Sequence, residues 1–426
     1  MIESAAAPVW SECLPSWGES LRFPRPPIQH AKEFLDGLRG QPQSAIESAR
    51  RGAVSLLRVL LAHAGTTDVQ LRSDGFPRIQ TADGLSIAEG FGRLSPLEVY
   101  GVLIVLFRCK SGPRAITSDP DREDAAFLDR LANNLRLDFA CDRGELVEST
   151  LPCGRVRVQC FFEAGGLALT IRALRDSVDS LHNLHFARET VARVEELILR
   201  RTGLCLVTGP TGSGKSTTLA SLIESMRTRM PRHVVTIEDP IEYRFPETGP
   251  SGELLASLVT QQEVGLHVAG YRDGLVDALR KHPHVIVIGE IRDRSTMETA
   301  LQAAQTGHLI VSTLHTRGAA STLGRILDFF RPEEAPAILT QLGETLTFIV
   351  SQGLYPSLRE PGRQALCYEF LENTDSESRA AIRKYQENPT VLADWMKRPF
   401  NRRWEDTLRT LVESGEVSAA ELRTGC

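Results

Sequence analysis

Lysine is scarce in this chain. Only six (Lys32, Lys110, Lys215, Lys281, Lys384 and Lys397) stand among 49 basic residues. Where arginine is so common a lone Arg says little, and a Lys at a special position says more. The eight cysteines (Cys13, Cys109, Cys141, Cys153, Cys160, Cys205, Cys367, Cys426) form no C-x-x-C pair, so a zinc ribbon is excluded and no disulfide framework is expected. A reduced, cytoplasmic setting follows. Long apolar runs are missing too: the longest, residues 102–107, is far short of the roughly 20 residues a membrane-spanning helix needs. The opening MIESAAAPVW has an early acid, no basic start and no apolar core, so no secretory signal is read there. Nor is there an excess of positive charge. The net charge of −5 offers no overall basic field, and no direct nucleic-acid partner is expected.

The composition, 42% hydrophobic and 24% charged over 426 residues, is that of an ordinary globular protein longer than one typical domain. Residues 1–45, with Pro24, Pro26, Pro27 and Pro42, show no long amphipathic pattern and read as an extended or mobile arm. A helix is expected over 45–64, where Val54, Leu57, Leu60 and Leu61 recur at helical spacing. Short strands at 69–71 and 78–80, a helix from Ser95-Pro96 to 107, and strands at 155–162 and 167–171 complete a small mixed α/β domain over 46–173. Residues 174–188 read as a linker. Between 189 and 373 the rhythm changes. Near-continuous apolar runs at 204–208, 234–237, 285–288 and 309–313 alternate with helical patterns, as expected of strands buried on both faces of a parallel sheet. Helix is expected over 333–350, and a helical C-terminal tail over 374–426.

Residues 209–216 read GPTGSGKS, a G-x-x-x-x-G-K-S match with a strand entering and a helix leaving. Glycines let such a loop wrap so that successive N–H groups point inward at phosphate oxygens, and the new helix adds its positive dipole end. The nucleotide-binding residues are therefore Gly209, Pro210, Thr211, Gly212, Ser213, Gly214, Lys215, Ser216 and Thr217. Lys215 is the phosphate-reaching cation and Ser216 the hydroxyl for Mg²⁺. The expected ligands are ATP and Mg²⁺.

A hydrolase with this loop also needs acids at neighbouring strand ends. Residues 285–290 (VIVIGE) supply Glu290, the second expected metal residue. Residues 236–242 (TIEDPIE) supply Glu238, with Asp239 and Glu242 beside it. One carboxylate near Mg²⁺ and one polarising the attacking water is the minimum for hydrolysis. Residues 306–316 (TGHLIVSTLHT) then place His308 and His315 around a buried strand, without a third ligand that would make a metal site.

The ordered set GPTGSGKST, TIEDPIEY, VIVIGEIRD and TGHLIVSTLHT resembles the Walker A, Asp box, Walker B and His box of the PilT/GspE-type secretion ATPase superfamily. The resemblance runs from about residue 55 to 385. It takes in Gly65-Thr-Thr-Asp-Val-Gln70 near its start, residues 340–352 as a Leu-x-x-Ser-Gln-like helix, and residues 380–383 (AAIR). It implies a RecA-like P-loop domain following the smaller N-terminal one, with ATP between domains in a homohexameric ring. It also implies Glu238 as the water-orienting acid, Glu290 as the Walker B acid, and His308 and His315 as γ-phosphate sensors. Residues 154–159 (GRVRVQ) and 169–172 (LTIR) resemble the strands whose arginines serve the nucleotide, here Arg155, Arg157 and Arg172. Period two agrees, since Arg155, Arg157 and Gln159 share one face and Val156, Val158 and Cys160 the other.

The expected function is an ATP-hydrolysing motor, cytoplasmic and peripheral at the inner membrane, working on platform or secretion-apparatus proteins of a type IV secretion, conjugation or pilus machine. The chain lacks the paired C-x-x-C module usual in the assembly branch. That favours either the PilT retraction branch or the secretion and conjugation branch of DotB and TraJ. The basic residues of 278–283 (ALRKHP) and the long N-terminal arm lean toward the latter. Gln70 stands where the family usually has His. From other classes, a nucleotide-binding scaffold with little turnover is disfavoured by intact Lys215, Ser216, Glu238 and Glu290. A small-molecule kinase would leave the Asp and His boxes unexplained.

Overall fold

The computed structural model describes residues 27–424 apart from 64–65, 82–83, 112–119, 143–154, 175–176, 250, 361–362, 389 and 399–400. It divides after Asp176 into two compact units.

The first unit opens with α1 (Pro27–Arg39) and α2 (Gln43–Ala62), then β1 (Asp68–Arg72), β2 (Arg78–Thr81) and β3 (Gly84–Ile87). Helices α3 (Pro96–Ser111) and α4 (Pro120–Asn134) lead to β4 (Arg136–Asp142), β5 (Arg155–Glu163) and β6 (Gly166–Leu174). Six strands form one antiparallel sheet in the order β3-β2-β1-β6-β5-β4. Strand alternation sends Val69, Leu71, Ile79, Val158, Cys160 and Ile171 to one face, where they share a core with Leu57 and Leu60 of α2 and Leu103 and Leu106 of α3. Arg157, Gln159, Thr170 and Arg172 fall on the opposite face.

The helix α1 lies within the stretch read from sequence as an arm. Its Ala31, Leu35 and Leu38 recur at helical spacing and are buried. The prolines upstream hid that short pattern. Residues 1–26 lie outside the described residues.

The second unit comprises α5 (Arg188–Leu197), β7 (Gly203–Thr208), α6 (Lys215–Arg229), β8 (His233–Glu238), β9 (Leu258–Glu263), α7 (Tyr271–Ala278), β10 (Val285–Ile288) and α8 (Arg294–Gln305). It continues through β11 (Leu309–Leu314), α9 (Ala319–Leu327), α10 (Ala335–Thr345), β12 (Leu346–Pro356) and β13 (Gln364–Glu372). It closes with α11 (Ser376–Arg383), α12 (Thr390–Trp395), α13 (Trp404–Glu413) and α14 (Glu421–Thr424). The sheet order is β13-β12-β7-β11-β10-β8-β9, parallel except where β12 meets β13. Every residue of β7, β10 and β11 is buried. Alternate β7 residues feed two cores, Leu204 and Leu206 on one face and Cys205 and Val207 on the other. An α/β fold with a mainly parallel sheet is what the apolar runs predict.

One expected helix ends in a strand. Of residues 333–350, α10 ends at Thr345 and β12 begins at Leu346. The run from Leu346 to Val350 is buried between β7 and β13, with neighbours on both faces, so it has no one-sided pattern that separates strand from helix. Ser351 and Gln352, expected on a helix, therefore sit on a strand.

Candidate nucleotide site

The interior strand β7 leads straight into the glycine loop. Gly209, Gly212 and Gly214 have φ of 149°, 79° and 83°, which L side chains rarely adopt. A Cβ on Gly209 would lie 2.2 Å from the Gln352 carbonyl oxygen, so glycine there is also a packing requirement. A Cβ on Gly212 would meet nothing, leaving the loop's outer lip clear for a ligand. The Ser213 hydroxyl is buried and has no hydrogen-bond partner among the described residues, an orphan of the kind that a bound anion resolves. Lys215 opens α6 and is buried. Its Nζ donates to the carbonyls of Gly209 (2.9 Å) and Pro210 (2.8 Å). Burial lowers its pKa, and the charge of Glu290 opposes that shift. Ser216 is exposed one residue further on, and the Thr217 hydroxyl lies 3.1 Å from the Tyr243 hydroxyl.

Parallel strands deliver the other groups to the same sheet end. Next to β7 is β11, which ends just before His315. Then comes β10, which ends just before Glu290, and then β8, which ends at Glu238. At about 4.8 Å per strand, Glu238 stands roughly 14 Å across the sheet edge from the loop strand. His315 Nδ1 lies 3.5 Å from Lys215 Nζ, and its Nε2 lies 3.0 Å from Glu290 Oε1. Arg292 Nε donates to Glu290 Oε2 at 2.9 Å. A continuous line therefore runs Lys215, His315, Glu290, Arg292. Backbone ties hold it: Gly289 N–H donates to the Ile237 carbonyl (2.8 Å) and Ile291 N–H to the Thr313 carbonyl (3.2 Å). The Thr313 hydroxyl in turn donates to the Gly289 carbonyl at 2.6 Å. Glu238 Oε1 accepts from the hydroxyl of Thr236 (2.6 Å) and from Gln261 Nε2 (3.2 Å).

His308 is not part of this constellation. It precedes β11, and its carbonyl accepts from Gly203 N–H at the start of β7 (3.2 Å). The length of β11 places it about 20 Å from His315, at the opposite sheet edge. Its Nδ1 contacts the Ala303 carbonyl at 3.3 Å. Two histidines that a short motif brackets are separated by the strand it forms, so His315 stands beside the loop and His308, expected with it as a γ-phosphate sensor, does not.

The three expected arginines belong to the first unit. Arg157 and Arg172 lie on the face turned away from the helices, while Arg155 is buried despite sharing their alternation.

Two residues lie inside the quoted motifs, Arg292 in VIVIGEIRD and Gln352 at the end of 340–352, but carry no assigned role there. Arg292 lies two positions beyond the Walker B acid and holds it. Gln352 on β12 is buried; its Nε2 donates to the Ser213 carbonyl (2.6 Å) and its Oε1 accepts from the Thr218 hydroxyl (2.9 Å), bolting the loop to α6. A polar side chain closing an otherwise apolar run is the signal that would have found it. Gln352→Ala strands a buried carbonyl and hydroxyl, a loss of about 1–3 kcal/mol. Its thermal midpoint in a circular-dichroism melt is expected to fall, and an unchanged midpoint would show the bolt to be dispensable.

A glycine loop leaving an interior strand of a parallel sheet, with its lysine at that sheet end and carboxylates at the same ends of β10 and β8, defines a P-loop ATPase. The model of the Type II/IV secretion system protein family matches residues 141–394. The twitching motility protein of Neisseria gonorrhoeae is 38% identical over 290 residues, covering 68% of this chain and 72% of that protein. Among solved structures, the pilus retraction motor PilT with bound ADP superposes with a TM-score of 0.70 at 31% identity, covering 87% of this chain and 96% of that one. The ATPase DotB of Legionella pneumophila gives a TM-score of 0.68 at 25% identity, covering 87% and 93%. The chain belongs to the Type II/IV secretion system protein family and is a nucleotide-binding ATPase.

Proposed function

We propose that this protein is a Mg²⁺-dependent ATP-driven motor, working as a ring of six copies on the cytoplasmic side of a membrane-embedded secretion, conjugation or pilus machine. The observation that carries the reading is the line from Lys215 through His315 to Glu290 and Arg292 at one sheet end. Kinship with PilT and DotB supports the motor role. Among the described residues no helix is long and apolar enough to cross a membrane. Kinship with secretion ATPases supports an inner-membrane platform or secretion-apparatus protein as the partner.

In this reading Lys215 and the loop N–H groups bind the phosphates. Glu290, held by His315 and Arg292, and Glu238, held by Thr236 and Gln261, are the pair of carboxylates that hydrolysis needs. Arg157 and Arg172 bring further positive charge to the phosphates, with Arg155 a weaker candidate because it is buried. His315 links the phosphate-binding lysine to the Walker B acid, so a change at one is felt at the other. Among the described residues no three His, Cys, Asp or Glu side chains cluster to hold a metal on their own. That suits Mg²⁺, which keeps its waters and uses one or two protein groups plus phosphate oxygens. Ser216 and Glu290 are those groups, and when bound the ion neutralises developing phosphate charge.

Purified protein is expected to hydrolyse ATP with Mg²⁺ and to stop when EDTA is in excess. Its mass by light scattering with nucleotide is expected near six subunits. A monomer with negligible turnover in Mg²⁺ would overturn the motor reading in favour of the nucleotide-binding scaffold.

A further inference from the structure

The helix-free face of the first unit carries an arrangement of charge that its stability does not require. Strand register sets Arg157 of β5 directly opposite Arg172 of β6. Like charges at directly opposed positions repel. On one side of this pair the register sets Asp68 of β1 opposite Arg172, and Arg172 Nε donates to Asp68 Oδ1 at 2.8 Å. On the other side Arg157 lies opposite the small Ala140. Its guanidinium reaches diagonally to Asp138 on the same strand, with Nε to Oδ1 at 3.1 Å and Nη2 to Oδ2 at 2.5 Å. The row therefore reads carboxylate, guanidinium, guanidinium, carboxylate across four strands. Asp68 is well covered, 13% exposed, while the Arg172 side chain above it is 58% exposed.

Partly exposed ion pairs of this kind contribute only about 0–1 kcal/mol to stability. What they do well is hold a planar group in one orientation. Asp138 holds Arg157 along one edge of its fork, through Nε and Nη2, and Asp68 holds Arg172 through Nε, which leaves other N–H groups of both guanidiniums to donate to an anion. Asp68 also falls in the GTTDVQ segment whose purpose the phosphate-loop chemistry leaves unassigned.

We propose that Asp68 and Asp138 are positioning residues. Each holds one member of the cross-strand arginine pair, Asp68 for Arg172 and Asp138 for Arg157, so that both guanidinium groups are set for the phosphate oxygens of ATP. This rests on the reading that Arg157 and Arg172 serve the nucleotide.

The test is steady-state ATP hydrolysis by the full chain, with a melt of each variant. Arg157→Gln and Arg172→Gln are each expected to lower kcat by tenfold or more, roughly, as removal of phosphate-stabilising arginines does. Asp68→Asn and Asp138→Asn, near-isosteric changes, are expected to lower kcat by about tenfold, with KM changed less than about twofold and melting midpoints unmoved. The decisive readout is coupling. Asp68→Asn is expected to cost nothing further in the Arg172→Gln background and its full factor in the Arg157→Gln background, with the converse for Asp138→Asn. Wild-type kcat in both aspartate variants, or losses that multiply in every background, would overturn the positioning role while leaving the arginine reading intact. If the arginine variants turn over like wild type and Lys215→Ala does not, the arginine reading and this proposal fall together and the phosphate loop stands.

Discussion

Lys215→Ala is expected to abolish detectable ATP hydrolysis and to weaken nucleotide binding by about a hundredfold or more, some 3 kcal/mol. The size follows from where the ammonium sits. It is buried and wrapped by two loop carbonyls, and among the described residues no carboxylate is in direct contact with it, so its charge is only partly compensated until a phosphate arrives. Lys215→Arg is not expected to rescue, because a planar fork does not fit a niche shaped for a compact ammonium between the Gly209 and Pro210 carbonyls. Titration with a fluorescent ADP analogue measures the loss; affinity within threefold of wild type would remove Lys215 from the phosphate site.

The same burial sets a pH dependence. The Lys215 pKa is lowered in the fold, so the ligand-free site loses its charge at a lower pH than an ordinary lysine would. Phosphate binding favours the charged form, so above that lowered pKa nucleotide binding takes up a proton and weakens as pH rises. The sign for stability is opposite. The unfolded chain keeps this proton to higher pH, so Lys215 adds stability to the ligand-free fold as pH rises between its folded and unfolded values.

Glu290→Gln is the second large effect. It is expected to reduce kcat by about two to three orders of magnitude, the range of a lost acid–base or charge-organising group, while ADP affinity changes less than about threefold. Gln keeps the shape but not the charge. One of its termini becomes an NH₂ facing Arg292 Nε or His315 Nε2, so at least one of the two contacts at 2.9 and 3.0 Å is lost. Single-turnover hydrolysis separates this from a binding defect. A kcat within twofold of wild type would take Glu290 out of the reaction and leave Glu238 as the acid to test.

Much of this site is legible residue by residue. The loop from Gly209 to Ser216 announces itself because only glycines tolerate its backbone and only a lysine in a lysine-poor chain stands at its end. Glu238 and Glu290 are legible because each closes an apolar run of strand length. Other features are not. The helix α1 is short and its upstream prolines read as a break, so Ala31, Leu35 and Leu38 passed unnoticed. β12 passed as helix because a run buried on every side carries no period. Arg292 and Gln352 act through what they hold, and no motif displays that.

The amino-acid sequence by itself determined the α/β alternation, the phosphate loop, the two acids and the arginine-bearing strands, because each is written in local chemistry: backbone freedom, apolar runs and period two. Tertiary structure alone decided which groups meet. Parallel pairing carried His315 to the loop and His308 to the far edge. Register set Arg157 against Arg172 between Asp68 and Asp138. Those are distances across strands, and residues far apart along the chain acquire them only when the sheet forms.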